Sequence, residues 1–105
     1  MKKIIVIGGG ASGMMAAGQA ARIGGDVLLL EKTKRPGKKI AISGKGRCNL
    51  TNDSEINEFI GHFNRSGRFL HQPFSQFFAP QLMNFFRQRG VKLVVERGNR
   101  VFPES

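Results

Sequence analysis

The first third of the chain has the hydrophobic pattern of a strand, a helix and a second strand. Four consecutive apolar residues at 4–7 predict a strand over 3–7, and such a run is typical of a strand buried on both faces. Small and apolar residues at helical spacing predict a helix over 12–23, which Gly24-Gly25 ends. A second apolar run predicts a strand over 26–31. A right-handed crossover makes this strand parallel to the first.

The segment 33–52 follows no period and carries three glycines, one proline and many cations. A long irregular segment is typical of a functional loop or of disorder. Because this composition is not repetitive, we interpret the segment as a functional loop. Within it, 43–49 has the composition of a backbone nest for an anion or a polar ring.

Helical periodicity resumes beyond residue 52. Asn52 and Glu55 have capping-box spacing, and Pro73 and Pro80 each suit the first turn of a helix. Four residues form one apolar helix face: Ile56, Phe59, Ile60 and Phe63. Alternation over 91–97, the turn pair Gly98-Asn99 and an apolar return over 100–102 predict a β-hairpin.

Together these elements predict an α/β fold: a Rossmann-type βαβ unit with an incomplete sheet, followed by helices and a β-hairpin. We expect residues 1–52 to form the βαβ dinucleotide-binding unit with its cofactor loop. We expect residues 53–105 to add the helical segment and hairpin to the same truncated domain.

The turn between the first strand and the helix carries the candidate chemistry. Gly8, Gly10 and Gly13 fit the pattern G-x-G-x-x-G, in which the glycines allow a tight turn, approach of a pyrophosphate and close packing of the helix. Glu31 ends the second strand, roughly 20 residues later, where a carboxylate that binds a ribose hydroxyl is expected. This context predicts a dinucleotide site. The alternative is a glycine-rich turn that binds nothing.

Charge and cysteine content bound the class of protein. The 105 residues carry a net charge of +10, with dense cations over 32–47, which indicates either a phosphate-binding patch or a solvated surface. The single cysteine, Cys48, fits a reducing cytoplasm, and its role is either packing or redox. His62 and His71 have no partner at metal-ligand spacing, so no metal site is expected. No apolar run is long enough for a signal peptide or a membrane span, so we expect a cytoplasmic protein.

Four stretches together resemble the N-terminal part of the BaiN/YhiN-type family of bacterial NAD(P)/FAD-dependent oxidoreductases, which are two-dinucleotide-binding-domain flavoproteins. These stretches are GGGASGMMAA, LLLEK, GKKIAISGKGRCNLTN and RVFPES. The resemblance covers essentially the whole chain, and its middle stretch is the most specific. It implies the FAD-binding portion of a flavin-dependent oxidoreductase, with NAD(P)H as an electron donor and an unknown small-molecule substrate.

The family's cofactor contacts can be carried over to matching positions. The FAD pyrophosphate would lie against Gly8, Gly10, Ala11, Ser12 and Gly13. Glu31 would accept a hydrogen bond from the adenosine ribose, with Lys32 beside it. Six further residues would lie along the cofactor, the later ones nearer the flavin: Lys38, Lys39, Ser43, Gly44, Arg47 and Asn49. The catalytic residues stay unknown.

Family members are several times longer, so the chain resembles only the first part of one. We therefore expect residues 1–105 to be inactive alone and to self-associate through exposed Phe-rich faces. Two alternatives stay open. One is an NAD(P)-binding Rossmann protein without flavin. In such a protein Glu31 would disfavour the ribose 2′-phosphate of NADP, although the neighbouring cations Lys32 and Lys34 weaken that argument. The other is a small basic nucleic-acid-binding module, which the charge supports and the ordered motifs do not.

Overall fold

The computed structural model describes residues 1–104. They fold as two compact units, the first Met1–Gly46 and the second from Arg47 onward. Each unit has its own sheet, a parallel pair of strands in the first and three antiparallel strands in the second. This combination of helices and strands confirms the α/β class predicted from the sequence.

The first unit contains the predicted strand–helix–strand motif. Strand β1 spans Lys3–Ile7, helix α1 spans Ala11–Arg22 and strand β2 spans Asp26–Leu30. The strands are parallel and in register from Lys3 opposite Asp26 to Ile7 opposite Leu30. All three predicted elements are confirmed to within one residue at each end.

One expectation for these strands is wrong: they are not buried on both faces. Burial alternates along both strands, and α1 packs against one face of the pair. The other face exposes four apolar side chains: Ile5, Ile7, Leu28 and Leu30. The apolar runs have the composition of a sheet covered on two sides, whereas within the described residues a helix covers one side.

The segment after β2 is more ordered than its composition suggests. Helix α2 spans Lys38–Ile42, and a short 3₁₀ turn covers Gly44–Gly46. Gly44, Lys45 and Gly46 have φ angles of 75°, 50° and 85°. Lys45 thus adopts the left-handed conformation that non-glycine residues usually avoid. The prediction of a wholly irregular loop is wrong over α2, while the predicted anion nest stays a prediction.

The second unit opens with short helices around a phenylalanine cluster. Helix α3 spans Ile56–Gly61, a 3₁₀ helix spans Asn64–Leu70, α4 spans His71–Gln76 and α5 spans Ala79–Arg87. The Phe59 ring lies 5.4 Å from that of Phe74 and 5.0 Å from that of Phe78, centroid to centroid, both edge-on. Such pairs stabilise a small core beyond the area that they bury.

Three other phenylalanines, Phe63, Phe69 and Phe77, are exposed. The predicted self-association through Phe-rich faces stays a prediction.

The cap of α3 differs from the predicted capping box. Glu55 itself is the N-cap, and its carboxylate accepts hydrogen bonds from the backbone amides of Asn57 and Glu58. The Asn52 side chain instead donates to the carbonyl oxygen of Gly98. A carboxylate is a good N-cap acceptor, so the helix begins three residues later than a box starting at Asn52 requires.

The second sheet contains the predicted hairpin and a strand that the sequence pattern does not reveal. Strands β4 (Leu93–Glu96) and β5 (Arg100–Pro103) form the antiparallel hairpin. The short strand β3 (Thr51–Asn52) pairs with the other edge of β5. Val101 and Phe102 of this central strand are buried. No helix within residues 1–104 has the length and apolar character needed to cross a membrane.

Candidate functional site

The glycine turn between β1 and α1 is fixed to the end of β2 by its backbone. The Gly8 amide donates to the carbonyl oxygen of Leu30 at 2.8 Å, which ties the turn to the neighbouring strand. Gly8 has a φ of +100°, a conformation that is strained for any residue with a Cβ. The first glycine of the motif therefore serves the tight turn that the sequence predicts.

Gly9, which the motif treats as variable, is the buried centre of the turn. Its amide donates to Oε1 of Glu31 at 2.8 Å, and its carbonyl oxygen accepts from the Gly37 amide at 2.7 Å. A Cβ on Gly9 would lie 2.8 Å from the Cβ of Pro36 and 3.3 Å from that of Glu31. Gly9 thus joins the glycine turn to the segment 31–37, more than twenty residues later in the sequence, and it has no room for a side chain.

Helix α1 begins beside this turn with unpaired backbone donors. Its first intrahelical bond runs from the Met14 amide to the Gly10 carbonyl at 2.9 Å. The amides of Ala11, Ser12 and Gly13 precede that bond, and an α-helix leaves such amides without an internal acceptor. Within the described residues no side chain caps them. These amides, at the positive end of the helix dipole, can bind a phosphate.

Gly10 borders open space on this side of the turn. A Cβ built on Gly10 has no atom of the described chain within 4 Å, and the backbone there is extended, with φ −77° and ψ −170°. A Cβ on Gly13, in contrast, would lie 1.8 Å from the carbonyl oxygen of Gly8. The second glycine therefore leaves room for a ligand, and the third allows contact between the helix and the turn.

Glu31 is held in place by three hydrogen bonds. Its Oε2 accepts from the hydroxyl of Thr33 and, at 2.8 Å, from the Thr33 amide, while its Oε1 accepts from Gly9. These bonds, those from Thr33 foremost, lower the pKa of Glu31 to about 2. A carboxylate has about four acceptor positions. An ionised Glu31 therefore retains the capacity to accept from a ligand hydroxyl.

We expect Glu31 to make the protein lose stability in acid. Its pKa is about 2 in the folded chain against an ordinary value of 4.5. The stabilisation is therefore complete above pH 4.5 and is lost as the pH falls from 4.5 towards 2. Glu31→Gln removes this contribution, so the urea midpoints of the variant and the parent should converge as the pH falls from about 4.5 towards 2. Glu58→Gln, which changes an acid in the second unit, is the control. A difference between the two urea midpoints that stays constant at all pH values would contradict the lowered pKa of Glu31.

Cations surround an open cavity formed by the segment that follows Glu31 in the sequence. Its volume is about 680 Å³, and its walls are Lys32, Thr33, Lys34, Arg35, Lys38, Ala41 and Ile42. The four cations give the cavity a positive field, and the two apolar residues of α2 form an uncharged wall. The predicted site residues Lys39, Ser43 and Gly44 are exposed on or just after α2 and do not line this cavity.

Two predicted cofactor residues, Arg47 and Asn49, lie in the second unit, where both make internal contacts. The Arg47 guanidinium donates to both carboxylate oxygens of Glu96, at 3.1 and 2.6 Å, and lies 3.8 Å from the Phe102 ring centroid. This pairing lowers the pKa of Glu96. The Asn49 amide, oriented to satisfy its neighbours, donates to the carbonyl oxygens of Thr51 and Val101 at 3.0 and 3.2 Å.

The structure thus brings together the predicted phosphate-binding residues 8–13 and Glu31 around one turn. Sequence reasoning missed three residues that hold this arrangement: Gly9, Thr33 and Gly37. The only signal for Gly9 was a third consecutive glycine, one more than the motif needs. Thr33 and Gly37 carry no pattern of their own, because their contacts depend on how the chain returns to the turn.

Comparison with known proteins places this arrangement in a family. The family model described as the HI0933-like protein Rossmann domain matches residues 2–105. The chain is 39% identical over 107 aligned positions to the 3-dehydro-bile acid delta(4,6)-reductase of Clostridium scindens, covering 100% of this chain and 25% of that protein.

Two further relatives match a shorter stretch. The ribosomal RNA dihydrouridine synthases of Escherichia coli and Haemophilus influenzae are 52% and 46% identical over 48 residues, which is 46% of this chain and 12% of each relative. The chain spans about a quarter of the length of the reductase that it matches along its whole extent. The match over residues 2–105 confirms the resemblance inferred from the motifs, and the chain therefore belongs to the HI0933-like family as its Rossmann domain.

Proposed function

We propose that this chain binds the ADP half of FAD and forms the FAD-binding portion of a flavin-dependent oxidoreductase. The observation that carries the proposal is the uncapped start of α1, which borders open space at Gly10 beside the ionised Glu31. The amides of residues 11–13 would bind the pyrophosphate, and Glu31 would accept from the adenosine ribose. An ADP group has a pyrophosphate that backbone amides can bind and a ribose whose hydroxyls a fixed carboxylate can accept from.

The remaining cofactor contacts are also proposals. Lys32 and Lys38, which line the cavity, would lie near the adenosine end, and Arg47 and Asn49 would lie nearer the flavin. When bound, the flavin would supply hydride or electron transfer, with NAD(P)H as the donor. The Clostridium scindens relative is a reductase by name, which supports redox chemistry for the whole protein. We also propose a small-molecule substrate and a cytoplasmic location.

Calorimetric titration tests the proposal directly. We expect FAD, ADP-ribose and ADP to bind at one shared site, because all three contain the ADP group that the turn would recognise. FMN has no ADP group and should neither bind there nor compete. An NAD(P)-specific protein would instead bind NAD⁺ or NADP⁺ tightly and FAD weakly. Equal affinity for FMN and FAD would contradict the assignment of the turn to the pyrophosphate.

Residues 1–105 alone should show no turnover, even with added FAD and NAD(P)H. The site residues around the turn serve binding of a dinucleotide, and catalysis also requires a substrate held at the reactive atoms of the flavin. Steady-state NAD(P)H oxidation by this chain, beside the Clostridium scindens reductase as a positive control, is the measurement. Comparable rates would show that the chain is a complete enzyme.

A second candidate function is action on RNA, which the cation-lined cavity favours. Lys32, Lys34, Arg35 and Lys38 converge there, and two relatives are named as ribosomal RNA dihydrouridine synthases. If the cations contact phosphates, the RNA affinity should fall steeply with salt, with a slope of about −0.7 per contact on single strands. Fluorescence anisotropy with a labelled RNA between 50 and 300 mM salt measures this slope. A salt-independent affinity, or none, would leave the cations as a solvated surface.

A further inference from the structure

The Thr33 hydroxyl has two acceptors within reach but only one proton to donate. One acceptor is Oε2 of Glu31, and the other is the carbonyl oxygen of Arg35 at 3.0 Å. Rotation about the Cβ–Oγ1 bond directs the proton to either acceptor without moving the backbone. The Thr33 hydroxyl can therefore release the Glu31 carboxylate and remain hydrogen-bonded, to the carbonyl oxygen of Arg35.

The number of donors that the Glu31 carboxylate can accept from decides whether the Thr33 hydroxyl must leave. Three of its roughly four acceptor positions are taken, by the Gly9 amide, the Thr33 amide and the Thr33 hydroxyl. One position remains on Oε1, whereas a ribose presents two neighbouring hydroxyls. Glu31 can accept from both only if one present donor leaves. The two amides are fixed by the backbone, so the Thr33 hydroxyl is the donor that can move.

We propose that the Thr33 hydroxyl holds the Glu31 carboxylate until a ribose hydroxyl replaces it, and that it then donates to the carbonyl oxygen of Arg35. The inference rests on the proposed binding of a dinucleotide and assigns Thr33 as a positioning residue of that site. The Gly9 amide stays bound throughout, so the glycine turn keeps its shape while the ligand exchanges with the hydroxyl.

The pKa of Glu31 reports whether the Thr33 hydroxyl holds its carboxylate, because few other groups act on that carboxylate. The glycine turn contributes the Gly9 amide, and Thr33 contributes an amide and a hydroxyl. Lys32 is the charged side chain that acts on the carboxylate. The Thr33 side-chain bond is the largest of the effects that lower the pKa of Glu31. Removing the hydroxyl should therefore raise that pKa from about 2 towards its ordinary value of 4.5.

The test compares Thr33→Val, which has the shape of threonine without the hydroxyl, with Thr33→Ser, which keeps the hydroxyl. Carboxyl-carbon NMR should show a raised Glu31 pKa in the valine variant and a value close to the parent in the serine variant. Backbone amide spectra establish that both variants are folded. An unchanged Glu31 pKa in Thr33→Val would overturn the proposal, and this readout does not depend on ligand binding.

Binding of ADP-ribose provides the second readout. At pH 7 the valine variant should bind within about twofold of the parent, because the hydroxyl leaves the carboxylate in the complex. At pH 4 it should bind about twofold or more weaker than the parent, since its Glu31 is partly protonated. Comparing variant with parent at each pH cancels the titration of the ligand itself.

The outcomes separate this inference from the function on which it rests. An equal loss of affinity at both pH values, or a loss in Thr33→Ser as well, would make Thr33 a merely structural residue and overturn the proposal. Failure of the parent to bind ADP-ribose would overturn the proposed function and with it the exchange of hydroxyls. The NMR titration would then still decide whether Thr33 holds Glu31.

Discussion

Gly10→Val should abolish dinucleotide binding while leaving the chain folded. The Cβ would point into space where no atom of the described chain lies within 4 Å, and the extended backbone at Gly10 suits any residue. The side chain would fill the volume that a pyrophosphate needs to reach the amides of α1. The affinity for FAD should fall at least about 100-fold, whereas loss of the glycine N-cap should cost about 1 kcal/mol of stability or less.

The matched control for this variant is Gly18→Val. Gly18 lies on the same helix, and its Cβ also meets no neighbouring atom within 4 Å, but it is two turns from the candidate phosphate site. Valine there should leave stability unchanged or raise it slightly, because valine has a better helix propensity than glycine, and it should leave FAD binding unchanged. Binding retained in folded Gly10→Val would place the phosphates elsewhere, and binding lost in both variants would indicate a general disturbance of α1.

The local elements of this chain were predictable because their signals are local. The apolar runs of β1 and β2, the glycines between β1 and α1, and the alternation of the hairpin each lie within a few neighbouring residues. Glu31 was also predictable as a candidate, since the length of α1 determines where β2 ends. The family resemblance added FAD as the proposed ligand at a position that spacing had already selected.

The contacts that shape the candidate site around the glycine turn were not predictable in this way. Gly9 is buried because Pro36 and Gly37 return to it, and the sequence alone does not indicate where a glycine-rich and basic segment returns. The exposed face of Ile5 and Leu28 was missed for a related reason. An apolar run reports that a strand can be buried on both faces, whereas actual burial depends on what lies against each face.

Arg47 illustrates the limit on site prediction by motif. The motif places it among cofactor contacts, and in the second unit its guanidinium pairs with Glu96 and lies over Phe102. Two of its five donors are used in this pair, so a cofactor contact through the others stays a proposal. Neither partner could be inferred from spacing, because Glu96 lies on β4 and Phe102 on β5.

Gly13→Ala should be the most destabilising single-methyl change in the first unit. Its Cβ would lie 1.8 Å from the carbonyl oxygen of Gly8 and 3.0 Å from the carbonyl carbon, and both atoms belong to a backbone that Leu30 holds in place. Neither a rotamer change nor a small shift relieves such a contact. Overpacking of this kind costs about 1–3 kcal/mol or more, which exceeds the gain of up to about 1 kcal/mol from replacing a helical glycine with alanine.

Gly18→Ala isolates the contact from the helix propensity. Both glycines lie in α1, both substitutions add one methyl group, and Gly18 has open space around its Cβ. Gly18→Ala should therefore raise the free energy of unfolding by about 0.5–1 kcal/mol, whereas Gly13→Ala should lower it. Because both variants share the propensity gain, they should differ by the cost of the contact, about 1–3 kcal/mol or more, in urea denaturation followed by circular dichroism. If both alanines stabilise the chain equally, the helix does not meet the turn at Gly13, and the third glycine of the motif has no packing role here.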